Sequence, residues 1–500
     1  MKQQHSGQTR GRVVVIGAGI GGLAAAVRLA HAGLDVTVVE TRSGPGGKMR
    51  TVPSAAGPID AGPTVLTMRH VFDDLFTAAG TQLEDHLHLT AQPILARHWW
   101  PDGSTLDLHA DPIATEAAIG SFAGARAAAE FRRFHHRTAQ LFSAFDAPMM
   151  QAPSPRAAAL LGAALRTPAI WPTLLPGMTL ARSLALGFQD PRLRQLFGRY
   201  ATYVGGSPYR APAVLGLIWQ AEARGVWAVQ GGMHRLATAL SDLARAGGAR
   251  LRFGVGALQL RQNWGRITEV QLTDGTSLPC DCVVFNGDPA ALAEGLLGPV
   301  ARPAVTQNAV APRSLSAWVW AFAATASGPD LIHHNVFFGK DPRQEFGPIA
   351  QGQRPADPTL YVCAQDRHDP TAATPSGPER FEIIMNAPAK SQPAPHEDQE
   401  CHTLTFTQLA RFGLQFSPTT PISALTPPAE FAKMFPASQG ALYGRSPNSP
   451  LAALQRPGPR TSVAGLYLAG GGAHPGAGVP MAARSGQHAA AAIMHDLSFR

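Results

Sequence analysis

The sequence predicts an α/β fold built on a parallel nucleotide-binding sheet, and three observations carry that expectation. The chain opens with a strand, a glycine-rich turn and a helix start, Val13-Val14-Val15-Ile16-Gly17-Ala18-Gly19-Ile20-Gly21-Gly22. Glu40 ends the next strand, at the spacing of about 20 residues expected for a ribose-binding carboxylate. A second strand, glycine loop and helix, running from Leu466 through Pro480, closes the chain.

Each element has a physical reason. Val13–Ile16 is short and wholly apolar, as a strand buried on both faces must be. Gly17 permits the tight turn, Gly19 lets the backbone approach a pyrophosphate, and Gly22 lets the helix pack closely on the strand. The free N–H groups and dipole of that helix favour a negative ligand. Leu23–His31 is rich in Ala and Leu, Gly33 suits its C-cap, and Asp35–Val39 reads as the second strand. Glu40 would accept hydrogen bonds from a ribose and repel a 2′-phosphate. The unit is Rossmann-like and predicts an adenine dinucleotide.

Beyond it, Arg42, Gly46-Gly47-Lys48-Met49-Arg50 and Asp60-Ala61-Gly62-Pro63-Thr64 put backbone donors and cations where phosphates would sit. A helix is expected over 66–80, a hairpin over 95–109 around Asp102-Gly103, and helix over 113–147. From Met149 to Phe188 the chain is apolar, broken by proline, and carries Trp171. Six Arg (156, 166, 182, 192, 194 and 199) face one acid, Asp190, between 150 and 200. A basic segment bearing Trp suits a membrane interface; a buried helical subdomain is the alternative. A helix from about His234 to Ala246, strands at 250–255, 257–261 and 267–272, and a strand at 282–286 return the chain to the first sheet. Strand-like runs at 315–325, 358–364 and 380–386 predict a second, mostly antiparallel sheet. The closing loop, Gly470-Gly471-Gly472 through Gly476-Ala477-Gly478-Val479-Pro480, supplies the backbone donors expected for the flavin half of FAD.

Composition narrows the class. Five hundred residues allow two or three domains. Charged residues make up only 15% of the chain, which suits much buried or lipid-facing surface. The net charge of +8 comes without basic clusters interleaved with aromatics, so no nucleic acid partner is expected. An anionic bilayer surface fits better. Cys280-Asp281-Cys282 lacks the spacing and the second pair of a zinc site, and no metal is expected. The cysteines read as reduced thiols of a cytoplasmic protein. No uncharged run of 18 residues spans a bilayer, so membrane contact is expected from one side only.

The N-terminal loop, Gly46-Gly47-Lys48, Asp60-Ala61-Gly62-Pro63-Thr64, Gly225-Val226-Trp227 with Gly231-Gly232, and the Leu466–Pro480 run occur in the right order over essentially the whole chain. Together they resemble the bacterial carotenoid (phytoene) desaturase family. Val52–Asp73 is similar to the branch acting on 1-hydroxy carotenoids. The resemblance implies a glutathione-reductase-type FAD-binding domain from residues 1–95, 225–295 and 445–500. It implies an antiparallel-sheet substrate domain from 96–145 and 296–444, and a helical membrane-contact subdomain at 146–224. The FAD would be non-covalent, since no cysteine follows Cys401.

The resemblance also implies residue roles. Gly17, Gly19 and Gly22 would contact the pyrophosphate and Glu40 the ribose. Arg42 would lie near the phosphates, Gly47 and Lys48 (Arg in many relatives) by the phosphates or the ribityl chain, and the Val255 backbone near adenine. Gly62, Pro63, Thr64, Gly471, Gly476, Gly478, Val479 and Pro480 would surround the flavin. The implied enzyme introduces a C3–C4 double bond into an acyclic 1-hydroxy carotenoid by hydride transfer to flavin and proton loss. It would act at a lipid bilayer surface, with a membrane quinone or oxygen as electron acceptor. His474 is a candidate for the proton, with packing beside Pro475 as the other reading; no catalytic acid or base is assigned. The alternatives are another carotene desaturase or isomerase of the family, an amine or porphyrinogen oxidase, and a non-enzymatic prenyl-binding escort.

Overall fold

Apolar runs at the start, middle and end of the chain form one parallel sheet. Its order is Leu466–Leu468, Cys282–Phe285, Arg12–Ile16, Asp35–Glu40, Arg250–Phe253. The computed structural model describes residues 11–369, 371–372 and 375–498; residues 1–10 and 499–500 of the expected FAD-binding segments lie outside it. Strand alternation divides the buried side chains. Val13 and Val15 pack toward the helices Ile20–His31, His234–Ala246 and Val479–Ser498. Val14 and Ile16 pack toward a three-stranded meander, Ala257–Asn263, Arg266–Leu272 and Ser277–Pro279. The first and last long helices meet through glycine: a Cβ on Gly486 would lie 2.0 Å from the Gly21 carbonyl oxygen.

The second sheet has eight strands. Its main path runs Gln415–Ser417, Ser316–Ser327, Glu379–Ala387, Leu360–Ala364, His334–Phe337, Ile94–Trp99, Thr105–His109. All these pairings are antiparallel except that of His334–Phe337 with Ile94–Trp99. Its outer face carries Trp318, Trp320, Phe322, Val362, Phe381, Ile383 and Met385, covered by helix Glu397–Arg411 through Cys401 and Leu409. Its inner face carries Ala321, Glu382, Cys363 and His334 in one register row, with Val319, Ile384, Tyr361 and Val336 in the next. That face meets the Ile59–Ala61 segment through Ala321, and an aromatic helical core through Val336.

Two expected helices differ in extent. The one expected from 66 begins at His70, because the Leu66 carbonyl accepts a hydrogen bond from Trp227 N–H and stays extended. The helix expected over 113–147 is divided at Gly124, whose φ of +89° breaks it into Pro112–Ala123 and Ala125–Phe145. Residues 157–187 form short helices, Ala157–Arg166, Trp171–Leu174 and Leu180–Gly187 among them. Among the described residues no helix is long and apolar enough to cross a membrane.

Candidate functional site

The loops after the parallel strands converge. Gly17 has φ +98°, its N–H donates to the Val39 carbonyl, and its own carbonyl accepts from Asn286 Nδ2. A Cβ on Gly22 would stand 2.2 Å from the Gly17 oxygen, so the third glycine is required by the turn itself. Glu40 is buried and ties the first loop to its own strand: Oε2 accepts from Ala18 N–H at 2.8 Å, Oε1 from Arg42 N–H at 3.0 Å. The Val255 N–H donates to the Glu40 carbonyl, which sets Val255 beside that end of the site. Gly46 bridges Gly19, and a Cβ on Gly47 would come 3.2 Å from the Gly19 Cα. Arg42 reaches back to the Gly47 carbonyl and lies over the Phe435 ring.

Between the first glycine loop and the C-terminal one lies a cluster of cations. Lys48 Nζ donates to the Leu442 carbonyl at 2.6 Å. Burial, reinforced by Arg313 and Arg456 and opposed by Asp288, brings its pKa down to about 8. Arg456 donates to the Gly471, Tyr443 and Arg445 carbonyls, and burial lowers it to about 10. Arg313 pairs with Asp288. Arg445 is buried, with Nε and Nη1 unpartnered among the described residues. Four cations around one carboxylate, one of them with unused donors, fit a ligand bearing two negative charges, as a pyrophosphate does. Gly476 lies against Arg456, and Val479 and Pro480 open the last helix.

The Asp60–Thr64 segment leads from this cluster to the inner face. Asp60 accepts from the N–H groups of Met233 and His234 at 2.5 and 3.1 Å, so it holds the start of helix His234–Ala246. A Cβ on Gly62 would lie 2.1 Å from the Lys48 carbonyl oxygen. Pro63 precedes Thr64, whose hydroxyl is 2.7 Å from Tyr361 Oη, itself 2.7 Å from His334 Nδ1. Burial holds His334 well below its usual pKa and lifts Tyr361 well above its own. His474 Nε2 bonds the Ala152 carbonyl at 2.8 Å and its ring stacks near His488, while its Nδ1 is unpartnered among the described residues.

Asn286, Arg313, Arg445, Arg456, Phe435, Tyr361 and Glu382 belong to this region and were not singled out by motif. One signal was available: Glu382 interrupts the run Phe381-Glu382-Ile383-Ile384-Met385, where a charged residue in a buried strand asks for a reason.

A dinucleotide loop, a dianion-sized cation cluster and a second glycine loop define an FAD-binding oxidoreductase. The chain belongs to the family of flavin containing amine oxidoreductases, matched over residues 20–494, and within it to the carotenoid desaturases. It is 60% identical, over 98% of each chain, to the hydroxyneurosporene desaturase of Cereibacter sphaeroides. It is 56% identical to the hydroxyneurosporene desaturase of Rhodobacter capsulatus, over 97% of this chain and 98% of that one. Its fold is shared with putrescine oxidase bound to putrescine, at a TM-score of 0.60 and 14% identity, covering 97% of this chain and 99% of that one.

Proposed function

We propose that the protein removes two hydrogens from C3 and C4 of an acyclic 1-hydroxy carotenoid. The observation that carries this reading is near-full-length identity to two hydroxyneurosporene desaturases. The FAD-binding domain would be of the glutathione-reductase type, assembled from residues 1–95, 225–295 and 445–500. Residues 96–145 and 296–444 would hold the substrate.

Bound FAD supplies the two-electron oxidant. Gly17, Gly19, Gly22 and Glu40 would hold the adenosine half, with Val255 at adenine, and Arg42, Gly47, Lys48 and the arginine cluster would hold the pyrophosphate. Gly62, Pro63, Thr64, Gly471, Gly476, Gly478, Val479 and Pro480 would enclose the flavin. The reacting end of the substrate would lie on the inner face of the eight-stranded sheet, shielded from water. Loss of hydride leaves a cation delocalised over the polyene, so a weak base suffices and positioning dominates. Burial keeps the His334 imidazole neutral, so it can take the second hydrogen as a proton through Tyr361 Oη.

The substrate must come from a bilayer, and residues 157–187 are the proposed contact. They expose Leu161, Leu165, Trp171, Leu174, Leu175 and Leu186. The segment contains no acid, and Arg156, Arg166 and Arg182 in and beside it are exposed. Such a surface suits an anionic lipid interface on the cytoplasmic side. A membrane quinone or oxygen would take the electrons onward.

The test is anaerobic. FAD-loaded protein on liposomes is given 1-hydroxyneurosporene or phytoene while carotenoid and flavin spectra are followed. A red-shifted carotenoid band with flavin bleaching on the hydroxylated substrate alone is expected. Turnover of phytoene instead would keep the family and remove the branch.

A further inference from the structure

The inner face carries a carboxyl group that no other part of the protein uses. Glu382 is completely buried, and neither of its carboxyl oxygens has a hydrogen-bond partner among the described residues. Most buried polar atoms are partnered, so an orphan of this kind needs an explanation. Two charged groups act on it, Asp60 and Arg50, and neither hydrogen-bonds to it, although Arg50 Nε is also unpartnered among the described residues. Arg50 donates through Nη2 to Thr426 at 2.7 Å, and Asp60 holds the backbone at Met233 and His234.

Strand register fixes where the side chain points. Phe381 and Ile383 pack on the outer face, so Glu382 projects inward. Directly opposite it on the flanking strands stand two small residues, Ala321 and Cys363. Ala321 in turn packs on Ile59 and Ala61, the residues leading into Gly62-Pro63-Thr64. The carboxyl therefore sits between small side chains, facing the segment expected at the flavin.

Its protonation state matches an alcohol. Burial, and next the negative charge of Asp60, push its pKa well above the ordinary range, against the weaker pull of Arg50. A neutral carboxylic acid offers one O–H donor and one carbonyl acceptor; a tertiary alcohol offers one donor and lone pairs to match. The hydroxyl of a 1-hydroxy carotenoid is on a carbon only two bonds from C3. Whatever binds it must therefore stand in the same pocket as the reacting bond.

We propose that Glu382 is the hydrogen-bond partner of the substrate's 1-hydroxyl and sets the preference for hydroxylated over unhydroxylated carotenoids. The proposal rests on the desaturase reading above. A hydrocarbon end in this place leaves the carboxyl unpaired beneath apolar surface, which is how a polar site rejects a ligand lacking its hydroxyl. Burial and Asp60 favour the neutral acid form of Glu382, which suits a partner for an alcohol better than an acceptor for the proton lost in the reaction; His334 Nδ1, facing Tyr361 Oη, is the nitrogen placed for that proton.

The experiment uses FAD-loaded protein on liposomes, with 1-hydroxyneurosporene and neurosporene as paired substrates. Wild type is compared with Glu382→Gln, Glu382→Leu and Glu382→Met. Three quantities are read: single-turnover flavin bleaching, flavin content, and carotenoid affinity from quenching of tryptophan fluorescence. The leucine and methionine variants should lower the hydroxylated-to-unhydroxylated ratio by about 100-fold or more, in rate and in affinity, with flavin content unchanged. Glutamine keeps a donor and an acceptor and should stay within about tenfold. Equal losses on both substrates, or an unchanged ratio, overturn the proposal while leaving the desaturase reading intact. A wild type that turns over neither substrate overturns both.

Discussion

The two faces of the eight-stranded sheet come from the same strands and are both buried, yet they are made differently. The outer face is filled with Trp318, Trp320, Phe322 and Ile383 under a helix. Its unpaired polar atoms among the described residues are mainly neutral, the indole N–H groups and the Thr405 hydroxyl, with one carboxylate oxygen, Asp398 Oδ1, on the half-buried part of the covering helix. The inner face alternates Ala and Cys with His334, Tyr361 and Glu382, and leaves a carboxyl and an imidazole nitrogen without partners. Burial alone would favour the first composition everywhere. The second costs stability in the protein alone, and in the proposed complex the substrate completes it. Stability should therefore reside on one face and chemistry on the other.

That division can be broken most sharply from the outer side. Trp320→Ala should lower the unfolding free energy by about 3–5 kcal/mol in a denaturant titration, with turnover per bound flavin unchanged. A matching loss of turnover would erase the distinction. At the inner face, His333 is brought down to about 4, first by burial and then by His368 and Arg380, against the Ala364 carbonyl and Asp366. His334 and Cys363 lie beside it. The unfolded chain binds this proton more readily, so stability is full above pH 6.5 and falls toward pH 4. The share of His333 is up to about 3 kcal/mol. Melts of His333→Asn across that range should show a shallower slope, and an unchanged slope would place the titration elsewhere.

Glu382→Leu should move stability the other way. Removing an orphaned polar group should leave the apoprotein unchanged or raise it by about 1–3 kcal/mol. A large destabilisation would make Glu382 a structural residue. The smallest effect belongs to a third surface. Trp171→Ser with Leu175→Ser should leave stability within about 0.5 kcal/mol while vesicle co-sedimentation drops, and undiminished sedimentation would move the membrane contact away from 157–187.

The first sheet was readable because its motif is local. The spacing of Gly17, Gly19, Gly22 and Glu40 marks a strand–turn–helix unit, which the structure contains, and the order of strands after Ala246 places the chain's return to the sheet. The cation cluster was not readable beyond Lys48, because Arg313, Arg445 and Arg456 come from loops that the sequence does not pair. The helix expected from 66 lost its first turn to a distant pairing with Trp227, a tertiary override of local preference. In the second sheet alternation shows that Glu382 and Ile383 face opposite ways. It does not show which side is covered by a helix and which by the flavin loops.

The contact between Gly21 and Gly486 orders events in time. The strand Leu466–Leu468 and the helix that locks against the first one leave the ribosome long after the opening strand. At roughly 5–20 residues per second, Glu40 waits about 20 seconds to a minute and a half for Leu466. Throughout that interval the opening strand lacks the outermost strand of its sheet, and its first helix lacks the glycine face that covers it. A nascent chain therefore presents an unfinished apolar surface beside a dinucleotide loop whose covering helix has yet to emerge.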